Sequence, residues 1–280
     1  MIQFVRGRAI ILLTGLIIGI PAIAQQDLLD YDHTLTFARY LSNTRQYPFA
    51  AQEYERLHFL WPDDTMVIRE LVKTYRLDQE CSQFPNAYRM MTEKERLWKN
   101  EAFAREYLKF CLTCGIDHPQ YFNIAPMLEP AEAGLYRLGY YWTTQQYDSA
   151  FSYNDLESEM LSANHPALYN LTVNFENQKY KKAWLAMALS AILPGSGKAY
   201  SKRWGDAAIS FLLVSTSAFA SYRAFNRKGI KSVNGWIFGG VAFSFYSSNI
   251  YGSFKAARNH NEDIRKQYQE DARRIVYSYF

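Results

Sequence analysis

Three stretches late in the chain carry no charged side chain: residues 183–197, 207–222 and 232–254. Runs of this kind either fill a protein core or dissolve in lipid. A helix that spans a bilayer needs about 20 residues for a hydrocarbon core of about 30 Å. The third run meets that length, and the second meets it if Arg223 snorkels to the interface. The first is broken by Pro194-Gly195 and is short, so it reads as a half-helix or a tilted span. The expected elements are a half-helix over 183–194 and spans over about 207–225 and 234–252. Trp184, Tyr200, Trp204, Tyr222, Trp236 and Tyr251 lie near the run ends, as an aromatic belt does. Lys181, Lys182, Lys202, Arg203, Arg227, Lys228 and Lys255 bracket the runs. Many serines weaken insertion, so the helices should pack on one another, on a partner or on a second copy. Gly235 and Gly239 form a GxxxG that lets two helices touch closely in lipid. The competing reading is a buried hairpin of a soluble protein.

The first run ends in "LPGSGKAY", which raises the question of a phosphate-binding loop. A Walker A loop requires G-x-x-x-x-G-K-[ST] after a buried strand. Aligning Gly197-Lys198 puts Ile192 at the first glycine position and Ala199 at the hydroxyl position. The preceding "AWLAMALSAIL" is built of helix formers. A nucleotide is therefore not expected, and the same segment reads better as a tight turn.

Charge is divided along the chain. Residues 25–182 carry 16 basic and 22 acidic side chains, and residues 183–280 carry 13 and 5. A basic segment beside apolar runs suits anionic lipid headgroups rather than nucleic acid. At the other end, Arg6 and Arg8 precede "AIILLTGLIIGI", and "AIA" (Ala22 to Ala24) precedes Gln25. This is the pattern of an export signal over 1–24, or else of an uncleaved N-terminal anchor. Both put residue 25 onward outside the cytoplasm.

From Tyr31 to about Pro166 the apolar spacing is helical, with almost no strand alternation. In "LTFARYLSNTRQYPFAAQEYERLHFLWPDD", Phe37, Ala38 and Leu41 share one helix face. A polar turn follows, and Tyr47, Ala50, Tyr54 and Leu57 form a second face that ends at Pro62. These residues resemble a tetratricopeptide repeat, a helical pair of about 34 residues with small residues at the crossing. A second unit begins near Thr65, with Ile68, Leu71, Val72 and Tyr75 followed by Phe84, Tyr88 and Met91. A third, over Glu101 to His118, is degenerate. A fourth has Leu138-Gly139, Trp142, Tyr147 and Ala150 near the expected spacing, with one residue missing from its turn. The resemblance implies a stacked array over residues 25–178 with a groove for a protein or peptide. The competing reading is a generic helical domain that only holds its own core.

The three cysteines are Cys81, Cys111 and Cys114. Cys111 and Cys114 form a CxxC one helical turn apart: a candidate disulfide, a pair of buried thiols or a redox pair. A zinc site drawn from Cys81, Cys111, Cys114 and His118 lacks a second ligand pair. Five scattered histidines accompany no GxSxG, HExxH or paired-carboxylate motif. No catalytic residue, cofactor or metal is therefore expected. The tail, residues 262–280, reads as a charged helix with Ile264, Tyr268, Ile275 and Tyr279 near helical spacing, solvated, lying on a membrane or packed on the repeats.

Residues 179–261 carry a further resemblance. "LPGSGKAYSKRWGDAAISF", "NGWIFGG" and "NIYGSFKAARNHN" are similar to a bacterial envelope module with a PGxGxxY turn, found in small membrane proteins and associated with YidD-type insertion factors. Pro194, Gly195, Gly197, Tyr200 and Asp206 match its turn. Gly195 and Gly197 permit the reversal, Tyr200 and Trp204 anchor at headgroup level, and Asp206 caps the next helix. The expectation is an all-α chain: a periplasmic helical-repeat scaffold tethered by a membrane hairpin. An accessory to membrane-protein insertion and an exported thiol-redox protein are the alternatives. If the first run does not span, the loop at 226–231 is cytoplasmic. If it spans, residues 198–203 and the tail are; the count of positive residues weakly favours this second arrangement.

Overall fold

Helices make up most of the described part of the chain, which in this computed structural model is residues 29–93 and 100–280. Among these residues there are fourteen α-helices and no strand. They fall into two compact units, one up to Glu106 and one over Tyr107–Phe280.

The first unit contains α1 (Tyr31–Asn43), α2 (Tyr47–Leu60), α3 (Thr65–Leu77) and α4 (Phe84–Thr92), and it ends inside α5 (Glu101–Cys114). Carboxylates begin two of these helices. Asp30 accepts from the His33 backbone N–H, and Asp64 accepts from those of Met66 and Val67. Each satisfies donors that a helix start leaves without an intrahelical partner. α1 packs on α2, and α2 on α3. Leu35, Ala38 and Leu41 face inward from α1; Ala50, Ala51, Tyr54 and Leu57 from α2; Val67, Ile68, Leu71, Val72 and Tyr75 from α3. Phe37, expected on the inner face of α1, is 48 % exposed, and Leu35 takes its place. The 3.6-residue period puts 34, 35, 38 and 41 on one stripe and turns 37 away from it.

In the second unit the end of α5 is followed by α6 (Tyr121–Ile124), α7 (Pro130–Thr143), α8 (Tyr147–Leu156), α9 (Ser158–Asn164) and α10 (Pro166–Glu176). Their core is aromatic. Trp142 packs against Tyr147 and Phe175 at 5.7 and 5.0 Å between ring centroids, and its indole N–H donates to the Thr172 hydroxyl at 3.0 Å. The Tyr121 hydroxyl donates to the Tyr136 carbonyl at 2.9 Å in a fully buried setting. Buried rings of this kind stay in the core because each polar end has a partner.

The chain continues into α11 (Ala183–Ile192), α12 (Ser196–Tyr200), α13 (Trp204–Lys228) and α14 (Val233–Tyr277), with a single 3-10 turn at Gly229–Lys231 before α14. α13 lies along α14, and α11 and α12 also pack on α14. At 45 residues, α14 is about 68 Å long at 1.5 Å per residue. Its first half belongs to the apolar runs and its second half packs on α7 and α10. The division therefore differs from the one expected: residues 179–261 and 262–280 do not separate from 107–178, because one unbroken helix runs through both. The expected signal segment, 1–24, lies outside the described residues.

The cysteines also differ from expectation. Cys111 is a free thiol, 1 % exposed, so a Cys111–Cys114 pair is not formed. Burial pushes the Cys111 thiol up to about 12, so it is inert as a nucleophile at neutral pH.

Candidate functional site

The glycine turn between α11 and α12 is where the apolar helices converge. Pro194 ends α11, and Gly195 takes φ +90°, a left-handed value that a side chain disfavours. A methyl group on Gly195 would sit 2.3 Å from the Ala207 carbonyl oxygen of α13. One on Gly197 would sit 1.9 Å from the Ala186 carbonyl oxygen of α11. The two glycines therefore bring a short helix into backbone contact with two others. The close approach is locked by a buried polar cluster. The Gly195 N–H donates to Asn249 Oδ1 of α14 at 3.2 Å, and the Gly197 N–H donates to Ser190 Oγ at 2.9 Å. Ser190 and Ser253 share a hydrogen bond at 2.6 Å, and Ser253 donates to the Asn249 carbonyl at 2.8 Å. Every polar group in this knot has a partner, as an interior that excludes water requires.

The same turn is tied at its outer end. The Tyr200 hydroxyl accepts from the Lys182 backbone N–H at 3.3 Å, so the residue before α11 and the last residue of α12 are neighbours. The Lys181 ammonium lies 4.4 Å from the centre of the Tyr200 ring, a cation–π contact. Asn261 of α14 grips the same backbone, accepting from the Lys181 N–H at 2.8 Å and donating to its carbonyl at 2.9 Å. Lys198 turns the other way and donates to Ser210 Oγ of α13 at 2.7 Å. Burial, and then the positive charges of Lys202 and Lys181, hold the His260 imidazole below its usual range.

Asp206 does not cap α13. Arg203 is the N-cap residue and makes no side-chain cap bond; Asp206 lies in the first turn and pairs with Arg203 at 2.9 Å. There its charge still favours the positive end of the helix. At the far end of α13, Gly235 faces the Phe225 ring and Gly239 faces Ser221. Ser221 Oγ donates to the Gly235 carbonyl at 2.8 Å. The GxxxG thus meets α13.

The outside of this bundle is apolar. Trp184, Ile192, Trp204, Ile209, Leu212, Phe219, Tyr222, Trp236, Ile237 and Phe243 are each more than half exposed. Among the described residues one stretch, Trp204–Lys231, is long and apolar enough to cross a membrane, and 11 % of its apolar window is buried. The expected second span, 234–252, does not reach the same hydropathy, because Gly, Ser and Asn dilute it; one of these, Asn249, belongs to the knot. α11 has ten residues and is shorter than a span.

The sequence patterns identified Pro194, Gly195, Gly197, Tyr200, Gly235 and Gly239, and the structure brings the first four together. They did not identify Ser190, Asn249, Ser253 or Asn261, which complete the knot from α11 and α14. The available signal was a set of polar side chains inside otherwise uncharged runs. Comparison of the chain with family models, with curated proteins and with solved structures finds no match in any of the three.

Proposed function

We propose that this chain is a membrane-anchored scaffold of the bacterial cell envelope, exported by its first 24 residues, whose helical domain binds a protein partner outside the cytoplasm. The observation that carries the reading is the exterior of α13, apolar along a length sufficient to cross a bilayer and left uncovered by the rest of the fold. Apolar surface on that scale marks a membrane or a partner. In this reading α13 and the first half of α14 cross the bilayer. α11 and α12 enter it and return to the same side, and repeated helical pairs of the tetratricopeptide kind present the partner-binding surface.

The test is extraction of isolated membranes with alkaline carbonate. The protein should stay in the pellet and float with vesicles in a density gradient. Recovery in the supernatant as a monodisperse soluble protein would overturn the reading.

A second reading is an accessory in membrane-protein insertion or envelope assembly, with the apolar bundle as the active part. One observation favours it. The face of α7 and α10 is occupied by the chain's own α14, whereas the outside of the bundle is exposed. Thiol-redox chemistry is not proposed, because Cys111 and Cys114 do not form a pair.

A further inference from the structure

We infer that the cleft between the α12–α13 junction and α14 binds the headgroup of a phospholipid that carries both a phosphate and a primary ammonium, as phosphatidylethanolamine does. The inference rests on the membrane reading and names the lipid that the anchor selects.

The cleft has a volume of about 350 Å³ and is lined by Ser201, Arg203, His260, Glu262, Asp263 and Lys266 among others. Ser201, at its floor, is 1 % exposed. Arg203, Glu262, Asp263 and Lys266 around it are exposed, so the cleft is open to a ligand from outside. Its level is that of a headgroup. Asn261 of α14 holds the Lys181 backbone, and Tyr200 meets Lys182. Trp204, 71 % exposed, begins α13, which enters the bilayer in the proposed setting. Exposed Trp and Tyr side chains sit at the membrane–water interface.

The cleft is mixed in charge, although the segment around it is basic. Arg203 and Lys266 supply two cations, and Glu262 and Asp263 supply two carboxylates. His260 adds no charge at neutral pH, because burial and then the charges of Lys202 and Lys181 hold its imidazole below the usual range. A purely anionic headgroup would meet both carboxylates unfavourably. A headgroup with charges of both signs meets a partner for each.

The order along the cleft is the order along the lipid. α14 leaves the apolar bundle through Asn261, so Glu262, Asp263 and Lys266 stand on the water side of that level. Arg203 is drawn toward the bilayer by its ion pair with Asp206 in the first turn of α13, at 2.9 Å. A guanidinium has five N–H donors, so one ion pair leaves others for a phosphate. A phospholipid carries its phosphate next to the glycerol and its terminal group farther out. Phosphate on Arg203 then sets a terminal ammonium beside Glu262 and Asp263, whose carboxylates accept its N–H groups. A choline has no N–H to give, and a terminal glycerol has no positive charge.

The experiment uses the full-length protein in nonionic detergent. The probes are phosphatidylethanolamine, phosphatidylcholine and phosphatidylglycerol with identical acyl chains, and native mass spectrometry reads the lipid retained. Wild type should hold phosphatidylethanolamine roughly tenfold more tightly than the other two, the worth of about one hydrogen bond to a charged group. Glu262→Gln combined with Asp263→Asn should erase the preference over phosphatidylcholine, and Arg203→Gln should weaken retention of all three. Glu270→Gln, on the same helix outside the cleft, should change nothing. Equal retention of the three lipids, tighter retention of phosphatidylglycerol, or a preference that survives the double variant would overturn the inference. Glycerophosphoethanolamine, the same headgroup without acyl chains, should compete only in large excess; competition at equal concentration would make a free metabolite the ligand and overturn the assignment to lipid. An unchanged melting temperature verifies the fold of each variant. Should the double variant melt early, Glu262→Gln alone is read by the same criteria. Carbonate extraction of the wild type reports on the membrane reading separately.

Discussion

Gly197 has no room for a methyl group, whereas Gly205, on the next helix, has nothing within 4 Å of its missing β-carbon. The pair makes a controlled test. Gly197→Ala forces α12 away from α11 and breaks the bond to Ser190, so it should cost about 1–3 kcal/mol or more, the range for overpacking. Gly205→Ala should instead stabilise α13, because glycine inside a helix costs roughly 0.5–1 kcal/mol relative to alanine. Thermal unfolding in detergent distinguishes them; equal melting temperatures would mean the contact is not formed. From the sequence alone the two glycines look alike, because the reason for one of them stands on another helix. The helix turns are hidden for a related reason. Arg45, Gln79, Gln145 and Lys202 take positive φ after α1, α3, α7 and α12. After each, the next N–H bonds the carbonyl five residues back, the Schellman arrangement. That site normally shows glycine, and here four other residues fill it. The left-handed conformation costs a non-glycine residue about 1–2 kcal/mol. Gln145→Gly should therefore raise stability by about 1 kcal/mol after the entropy of the unfolded glycine is subtracted.

At the scale of an element, two helices show where charge and length decide. α3 starts at Asp64, whose carboxylate is held below its usual range. Burial pushes it up, but the hydrogen bonds from Tyr31, Val67 and Met66 outweigh that. A carboxyl with a lowered folded pKa stabilises the fold above its unfolded value of about 3.9 and loses that contribution as pH falls through the lowered value. Asp64→Ala should cost about 0.5–2 kcal/mol at neutral pH, and the difference from wild type should shrink below about pH 4. A difference that persists at low pH would place the effect elsewhere. α14 presents the opposite problem. Its sequence changes from uncharged to charged at Phe254-Lys255, which reads as a boundary between a span and a tail. Yet no proline occurs anywhere in it and no glycine follows Gly252. A change of surroundings does not interrupt a backbone hydrogen-bond ladder, so the helix continues. Arg258→Pro, at an exposed position, should break it at a cost of about 3 kcal/mol. Trypsin should then cut at Arg265 and Lys266 faster than it does in the wild type.

For the molecule as a whole, the all-helical class is legible because helical spacing recurs from Tyr31 onward, but the path through a membrane is not. Counting positive residues leaves two arrangements and slightly favours the one in which the first apolar run crosses. Three contacts point the other way. The Tyr200 hydroxyl meets the Lys182 N–H, the Lys181 ammonium covers the Tyr200 ring, and Asn261 holds the Lys181 backbone. Residues 181, 200 and 261 therefore stand at one level. A ten-residue α11, about 15 Å long, cannot separate them across a core of about 30 Å. In the proposed membrane setting, Lys179, Lys202 and Arg265 then share one side, and Lys228 and Lys231 face the other. Single cysteines at these positions test it in intact cells with a maleimide that does not cross membranes. The native Cys111 adds little background, because its thiol is buried with its pKa raised to about 12. Lys179→Cys, Lys202→Cys and Arg265→Cys should be labelled from outside, and Lys231→Cys only after the membrane is opened. Labelling of Lys179→Cys and Lys202→Cys from opposite sides would mean that α11 crosses. The buried bonds among Ser190, Asn249 and Ser253 would then have to break, because they hold the glycine turn inside the bundle beside the middle of α14.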